Sequence, residues 1–516
     1  MGVVVDSLSG KPIPAAIVNI GASKVKADDE GRFVFADLAK GYYAIDASKA
    51  GYFDGSYGRS RPAGPAATLA LGADERIGNV RIALFRWGAI SGQVMDEASE
   101  PVAGAEVDVL ARRWIGGRLT LVPIGSAVTD DRGFYRVVAL GAGDFVVAAI
   151  YHTLPVVRGS GIFTYPVHYF GGGTSIEQAT AVTLKVGDDR IGIDISLQLS
   201  PASRVFGIVK GPNGPLAAPV ALTTSAETIG TGVDLQAAET TSEPDGGFLF
   251  RAVPTGTYAA KVIVRPQSVR TENAIARLMW ASTPVIVNDS DVSGVEVVLR
   301  PGFRIAGRVV FESATRGRGP GFDVLRRLSA SIDSQDVDTR SLGVTVAFDS
   351  LGGFSSSELP PGGYFMRIEN TPPGWTLKQI AVRGRDISNA PIRLDADVSG
   401  LTFTFTERPT EVAGFVRSDA GIVEGSTVLV FPRDRASWVD FGRDPLGLRS
   451  ARSSRDGSFR FLGLPPGDYF LIAVDDAASA DWQEPKRLEL LAQSAVRVTV
   501  ADGEKLSLDL RPAAIR

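Results

Sequence analysis

Two histidines, His152 and His168, are all the imidazole this chain carries, and they stand sixteen residues apart. A zinc hydrolase needs ligands grouped as His-Glu-x-x-His, or as His-x-x-Glu with a distant histidine. Neither pattern occurs, so both histidines read as surface or packing residues. The absence of cysteine removes thiolate metal sites, cysteine nucleophiles and disulfides. No Gly-x-Ser-x-Gly elbow or phosphate-binding P-loop is present. RGRGPG (316–321) is rich in glycine and arginine but opens no predicted helix, so it reads as a loop. The acidic turns DDEG, DDRG, EPDGG and DSDVSG could offer oxygens to calcium. DSDVSG (289–294) has no distant glutamate in register, and ordinary β-turns account for all four. No catalytic residue, metal site or cofactor is expected.

Aromatic rings are the remaining lead. The stretch RGSGIFTYPVHYFGGGTS (158–175) places Phe163, Tyr165, His168, Tyr169 and Phe170 among glycines, and Trp114 and Trp438 fall in long loops between early strands. Exposed rings stack on sugars or on partner side chains. Trp114, Tyr165, His168, Tyr169 and Trp438 are therefore the candidate ligand-binding residues. The competing reading is that these rings cover a sandwich edge or fill a joint between domains.

A repeated frame positions these residues. Counting from Phe459, a glycine lies two before (Gly457), an aliphatic residue five after (Leu464), a glycine eight after (Gly467) and an aromatic ten after (Tyr469). The same offsets recur around Phe33, Tyr135, Phe248 and Phe354, giving five copies without an insertion. Upstream of each lies a Gly-x-Val: Gly2/Val4, Gly92/Val94, Gly207/Val209, Gly307/Val309 and Gly414/Val416. Downstream, an acidic turn leads into an alternating strand such as DSDVSGVEVVL or DGEKLSLDL. Each unit thus reads as an antiparallel β-sandwich of ~100 residues, with no helix of any length evident. The turn glycine should sit at positive φ beside an acidic residue that accepts backbone amides. The aromatic pair should face the core. The Tyr469 position should form a tyrosine corner, although Phe145 takes this place in the second copy without a hydroxyl.

The predicted units are 1–86, 87–200 with the aromatic insert, 201–301, the divergent 302–409, and 410–516, five antiparallel sandwiches in an elongated all-β tandem array. At 516 residues the chain exceeds what one core supports. Its 44% hydrophobic and 22% charged residues are ordinary for globular protein. A net charge of −4 gives no electrostatic reason to expect nucleic acid as a partner. No run approaches the ~20 apolar residues of a membrane span, and the N-terminus has no signal-peptide pattern. Joints between units are short, eight residues from Leu84 to Gly92 and from Leu199 to Gly207, so a semi-rigid rod or gentle arc is expected. Trp87 is a candidate to pack in the first joint. Both ends look cut in frame, as if more repeats or a signal peptide lay beyond them.

The frame D-x-x-G-x-F-x-F-x-x-L-x-x-G-x-Y, following GQVMDEASEPVAGAEVDVL (92–110) and GVVVDSLSGKPIPAAIVNI (2–20), resembles the carboxypeptidase regulatory-like domain. That is a transthyretin-like β-sandwich grouped with Cna-B-like and starch-binding-like folds. The resemblance implies fold and not peptidase activity. In Cna-B-like relatives a lysine in the opening strand can form an isopeptide bond, and Lys210 is the one candidate here. Tandem arrays of the domain imply a non-catalytic stalk or interaction protein, extracellular, periplasmic or on a bacterial cell surface. Its expected partners are a glycan or another surface protein, and its expected state is a monomer or part of a larger assembly. The alternatives are a carbohydrate-binding array, or an accessory segment of a larger enzyme or outer-membrane transporter.

Overall fold

In a computed structural model the described residues are 1–62, 64, 66–152, 154–224, 236–265, 277–313, 325, 327–335, 343–372, 374–442, 445–475, 478–479 and 481–514. RGRGPG (316–321) lies outside them. The chain forms five all-β sandwiches in tandem. Among the described residues no buried core spans two of them; each closes within its own unit.

One sheet of each sandwich is built around the Gly-x-Val strand. That strand pairs antiparallel with the frame strand, as Gly414 does with Phe459 and Gly207 with Phe248. On its other side it pairs parallel with the closing strand of the unit, in all five copies. The second sheet pairs the next strand antiparallel with the corner strand, as in Thr427–Pro432 with Gly467–Val474 and Glu106–Ile115 with Gly143–Ile150. The parallel pair accounts for the opening glycine. A Cβ on Gly2, Gly92, Gly207, Gly307 or Gly414 would strike the backbone carbonyl of Val80, Ile193, Val295, Leu401 or Leu508, each on the closing segment.

The frame behaves as its residue types require. Gly31, Gly133, Gly246, Gly352 and Gly457 have φ between 69° and 82°, where a side chain is strained. In three of the turns one carboxylate oxygen accepts two backbone amides: Asp28 from Glu30 and Arg32, Asp130 from Arg132 and Phe134, Asp349 from Leu351 and Gly353. Phe33, Tyr135, Phe248, Phe354 and Phe459 are all buried. The tyrosine corner is present wherever the hydroxyl exists. Tyr43, Tyr258, Tyr364 and Tyr469 each donate to the carbonyl four residues upstream, on Ala39, Pro254, Pro360 and Pro465, at 2.5 to 2.9 Å.

A helix departs from the strand-only reading. Pro485–Ser494 is an α-helix that buries Leu488 and Leu491 against the fifth unit. Proline in its first turn is a legitimate start signal, but ten residues with two buried positions give too short a period to stand out from strand patterning.

The two motif glycines are expected to differ in kind from the corner hydroxyl. Gly414→Ala forces a methyl group into the Leu508 carbonyl and should cost about 2–3 kcal/mol through overpacking. Tyr364→Phe leaves the Pro360 carbonyl without its donor and should cost about 1 kcal/mol. Urea denaturation of each variant reads the difference directly, and an equal or reversed order would contradict this account.

Candidate functional site

The segments in which the copies differ are the places where units meet. In the aromatic insert, Val156–Arg158 and Gly161–Thr164 form a hairpin, and the second of these strands pairs with Ser200–Ala202 at the start of the third unit. The insert is therefore an added edge on the neighbouring sheet. Glu97 ties it down, accepting from Arg158 at 2.7 Å and from the Tyr165 hydroxyl at 2.8 Å. These bonds hold Glu97 below the usual carboxylate range and push Tyr165, already raised by burial, further up.

His168 and Tyr169 pair with Ala149 and Ala148 at the edge of the second unit and are buried. The Nε2 atom of His168 accepts from the Gln198 amide at 3.0 Å, so Nδ1 carries the proton and donates to the Pro166 carbonyl at 2.8 Å. Burial lowers its pKa, so the ring is neutral and its free lone pair is already used. His152 is exposed, and no group of three or more potential metal ligands occurs among the described residues. Burial pushes the Tyr169 phenol up to about 12, with Glu177 adding to the shift. A cleft of about 930 Å³ opens between the insert and the third unit, lined in part by Tyr151, Tyr165, Tyr169, Thr240 and Arg251.

Trp114 does not lie in a long loop, whereas Trp438 does, in the connection 433–448 between strands Thr427–Pro432 and Arg449–Arg452. Trp114 is half-buried near the tip of a hairpin, Glu106–Ile115 with Arg118–Val128. Trp438 ends a short 3-10 turn, Arg435–Trp438, and is 2% exposed. Its indole N–H donates to the Pro432 carbonyl at 2.8 Å and its ring packs edge-on against Phe431. Neither face of this ring is available to a ligand in this arrangement. The sequence brings the two tryptophans nowhere near each other, yet the fold joins their segments. Gly116 and Gly117, at the hairpin tip, lie directly on residues 438–442, and a Cβ on Gly117 would overlap the Trp438 carbonyl.

Asp440 is the centre of this contact, and nothing in the repeat frame pointed to it. Its amide donates to the Gly116 carbonyl at 2.6 Å. Its carboxylate takes Arg118 of the second unit in a two-point contact at 2.7 and 2.8 Å, and Gln335 of the fourth unit at 2.8 Å. Asp440 itself sits at φ 57°, a conformation asparagine and aspartate tolerate better than most residues. Beside it, Gly442 lies against the ring of Phe365 and Gly447 donates to Asn389, both in the fourth unit.

Other joints are pinned by charge in the same way. Glu358, 4% exposed, accepts from Arg304 at 2.7 Å and Arg277 at 3.1 Å across the third and fourth units. Lys378 bridges Glu312 of the fourth unit and Asp502 of the fifth, each at 2.7 Å. Asp6 accepts from Arg86 at 2.5 Å at the end of the first unit, and hydrogen bonds from Arg86 and Ser9 hold it well below the usual carboxylate range although burial opposes them. Trp87, which alone separates strands Val80–Arg86 and Gly88–Met95, is 40% exposed and donates its amide to the Gly51 carbonyl. Lys210 forms an ion pair with Glu296 at 2.7 Å, with both side chains at least 40% exposed. Asp108 is pushed up to about 6 by burial and by Glu106, on a strand in mid-sheet.

The row of units is bent. The fifth touches the fourth, the second and the first, the last through Arg452 to the Ser60 hydroxyl at 2.8 Å and Arg61 to Ser479 at 3.1 Å. The arc expected from short joints curves until its last unit meets its first two.

This chain is a tandem β-sandwich repeat protein. No protein family matches it, and no curated protein does. Among solved structures it is similar to the TIE protein of Bacillus anthracis, with 10% identity, 79% of this chain and 68% of the other covered, and a TM-score of 0.16. It is similar to the BcpA major pilin subunit of Bacillus cereus, with 12% identity, 62% and 100% covered, and a TM-score of 0.15. It is likewise similar to the full-length RrgB pilus protein of Streptococcus pneumoniae, with 10% identity, 83% and 98% covered, and a TM-score of 0.15.

Two substitutions test the roles of these residues. Trp438→Ala empties a packed site and should cost about 3–5 kcal/mol, read by thermal or chemical melting. A stable variant would return the ring to the surface. For Glu358 the sign follows from its lowered pKa, in which burial, which raises it, is outweighed by hydrogen bonds from Arg304 and Arg277. Its contribution is complete above the unfolded value of about 4.3 and is lost as pH falls through the lowered folded value. Glu358→Gln should therefore destabilise by about 1.5–3 kcal/mol at neutral pH. In urea melts that difference should close at acid pH, and a difference independent of pH would remove the charge argument.

Proposed function

We propose that this chain is a non-catalytic structural and interaction protein, a multidomain segment of a secreted or surface-exposed bacterial stalk. Its units are read as carboxypeptidase regulatory-like sandwiches divided at 1–86, 87–200, 201–301, 302–409 and 410–516. The observation that carries this reading is the use made of the divergent segments. The insert at 158–175 adds a strand to the next unit and the stretch at 431–450 grips two other units, so the features that break the repeat hold units together. Such a protein presents its own outer surface to a partner, either another surface protein or further copies of the repeat, and the binding surface is set by how the sandwiches are placed.

A second reading is favoured by the cleft between the insert and the third unit. Tyr151, Tyr169, Thr240 and Thr257 are among the residues that line it, and hydroxyls beside aromatic rings are the chemistry that recognises a neutral sugar chain. Fractionation of the producing cells, with an antibody raised to this chain, tests the first reading. Recovery in the cytosolic fraction with protection from added protease would rule out a surface stalk. A glycan array run on the same protein separates the two, since the stalk reading expects no signal and the cleft reading expects one that Tyr169→Ala abolishes.

A further inference from the structure

We propose that the fifth unit is a reversible clasp. The array closes when this unit meets the first and second, and opens when those polar contacts release and the fifth unit swings away from them, while every sandwich stays folded.

Three observations support it. First, among the described residues each hydrophobic core is confined to one unit, so closure moves none of them into or out of a core. Second, directional polar contacts between described residues help to close the array. Between the first and fifth units they include Arg452 to Ser60 and Arg61 to the hydroxyl and carbonyl of the buried Ser479. The Tyr57 phenol, raised mainly by burial, also lies in the fields of Glu424 and Arg455. Between the second and fifth they are Arg118 to Asp440 and the Asp440 amide to Gly116. Third, the Arg118 side chain is 64% exposed and that of Asp440 29%, so water and salt compete for the pair.

Contacts of this kind are weak one at a time. Here they close a loop within one chain, where a tether raises the effective concentration to about the millimolar range. A modest set of polar bonds is then enough to close the array, and a modest competitor is enough to open it. The backbone at the tip fits that role. Gly116 and Gly117 let the hairpin approach the backbone of residues 438–442 closely, where a Cβ at either position would meet that backbone.

The test is small-angle X-ray scattering of the full chain, in about 50 mM and about 1 M salt, alongside an Arg61→Ala/Arg118→Ala variant. A closed cluster of this length should have a radius of gyration of about 25–30 Å, and five sandwiches in a straight row about 50 Å. The wild type should expand with salt, and the variant should be expanded at both concentrations with unchanged far-UV circular dichroism. Superimposable wild-type and variant profiles at both salts would sink the proposal. Because the chain has no cysteine, an Arg118→Cys/Asp440→Cys variant joined by a cleavable bismaleimide gives an arm that does not depend on the arginine variant folding. The joined protein should stay compact in high salt and expand on cleavage. Identical dimensions before and after cleavage overturn the clasp. None of these outcomes depends on where the protein resides or whether it binds a glycan, so the clasp fails or stands apart from the proposed function.

Discussion

In every unit the amide of the Gly-x-Val valine donates to the carbonyl of the frame glycine: Val4 to Gly31, Val94 to Gly133, Val209 to Gly246, Val309 to Gly352 and Val416 to Gly457, at 2.8 to 2.9 Å. That bond fastens the first strand to the turn that begins the frame strand. Its acceptor points the right way only because the glycine is at positive φ, and the turn itself is held by a side chain that accepts the amides beyond it. The opening glycine, two residues before the valine, leaves room for the closing strand on the other side. Two glycines and this hydrogen bond thus fix where the three strands meet, their ladders hold them together, and the aromatic pair has a fixed facing sheet to pack against.

The junctions obey different physics. Inside a unit, burial of rings and aliphatic residues supplies the stabilisation. Between units the work falls to Glu358, Lys378 and Asp440, each gathering two partners from separate segments, while Glu97 anchors the insert that reaches the third unit. A carboxylate that accepts from two donors fixes direction more than it adds stability, which suits a joint whose purpose is angle.

The difference decides what could be read from the sequence. The turn glycines, the inward aromatics and the corner tyrosines were legible because their reasons are local, set within about fifteen residues. The reason for the opening glycine was not, because the carbonyl it avoids belongs to a strand some seventy to a hundred residues later in the chain, such as Leu508 for Gly414. Trp438 looked like an exposed ring because nothing in the sequence shows that its loop folds back to bury it against Phe431 and Pro432. Asp440 had no signal at all, since its partners Arg118 and Gln335 come from two other units. A clue was available in a weaker form. The copies diverge at 158–175 and 431–450, and divergence from a repeat marks positions answering to something other than the unit's own core.

Polar junctions also bear on how such a chain reaches its structure. Five sandwiches of one design share the same exposed strand edges while folding, and neighbouring copies can pair wrongly. A greasy junction would make that error worse, because any apolar patch accepts any other. Directional contacts reject most wrong pairings: the Arg118–Asp440 contact needs a two-point geometry, and the Gly116 carbonyl must meet the Asp440 amide at the same time. Each sandwich can therefore complete its core alone and find its neighbours afterwards. The repeat frame makes the units alike, and the departures from it make their arrangement specific.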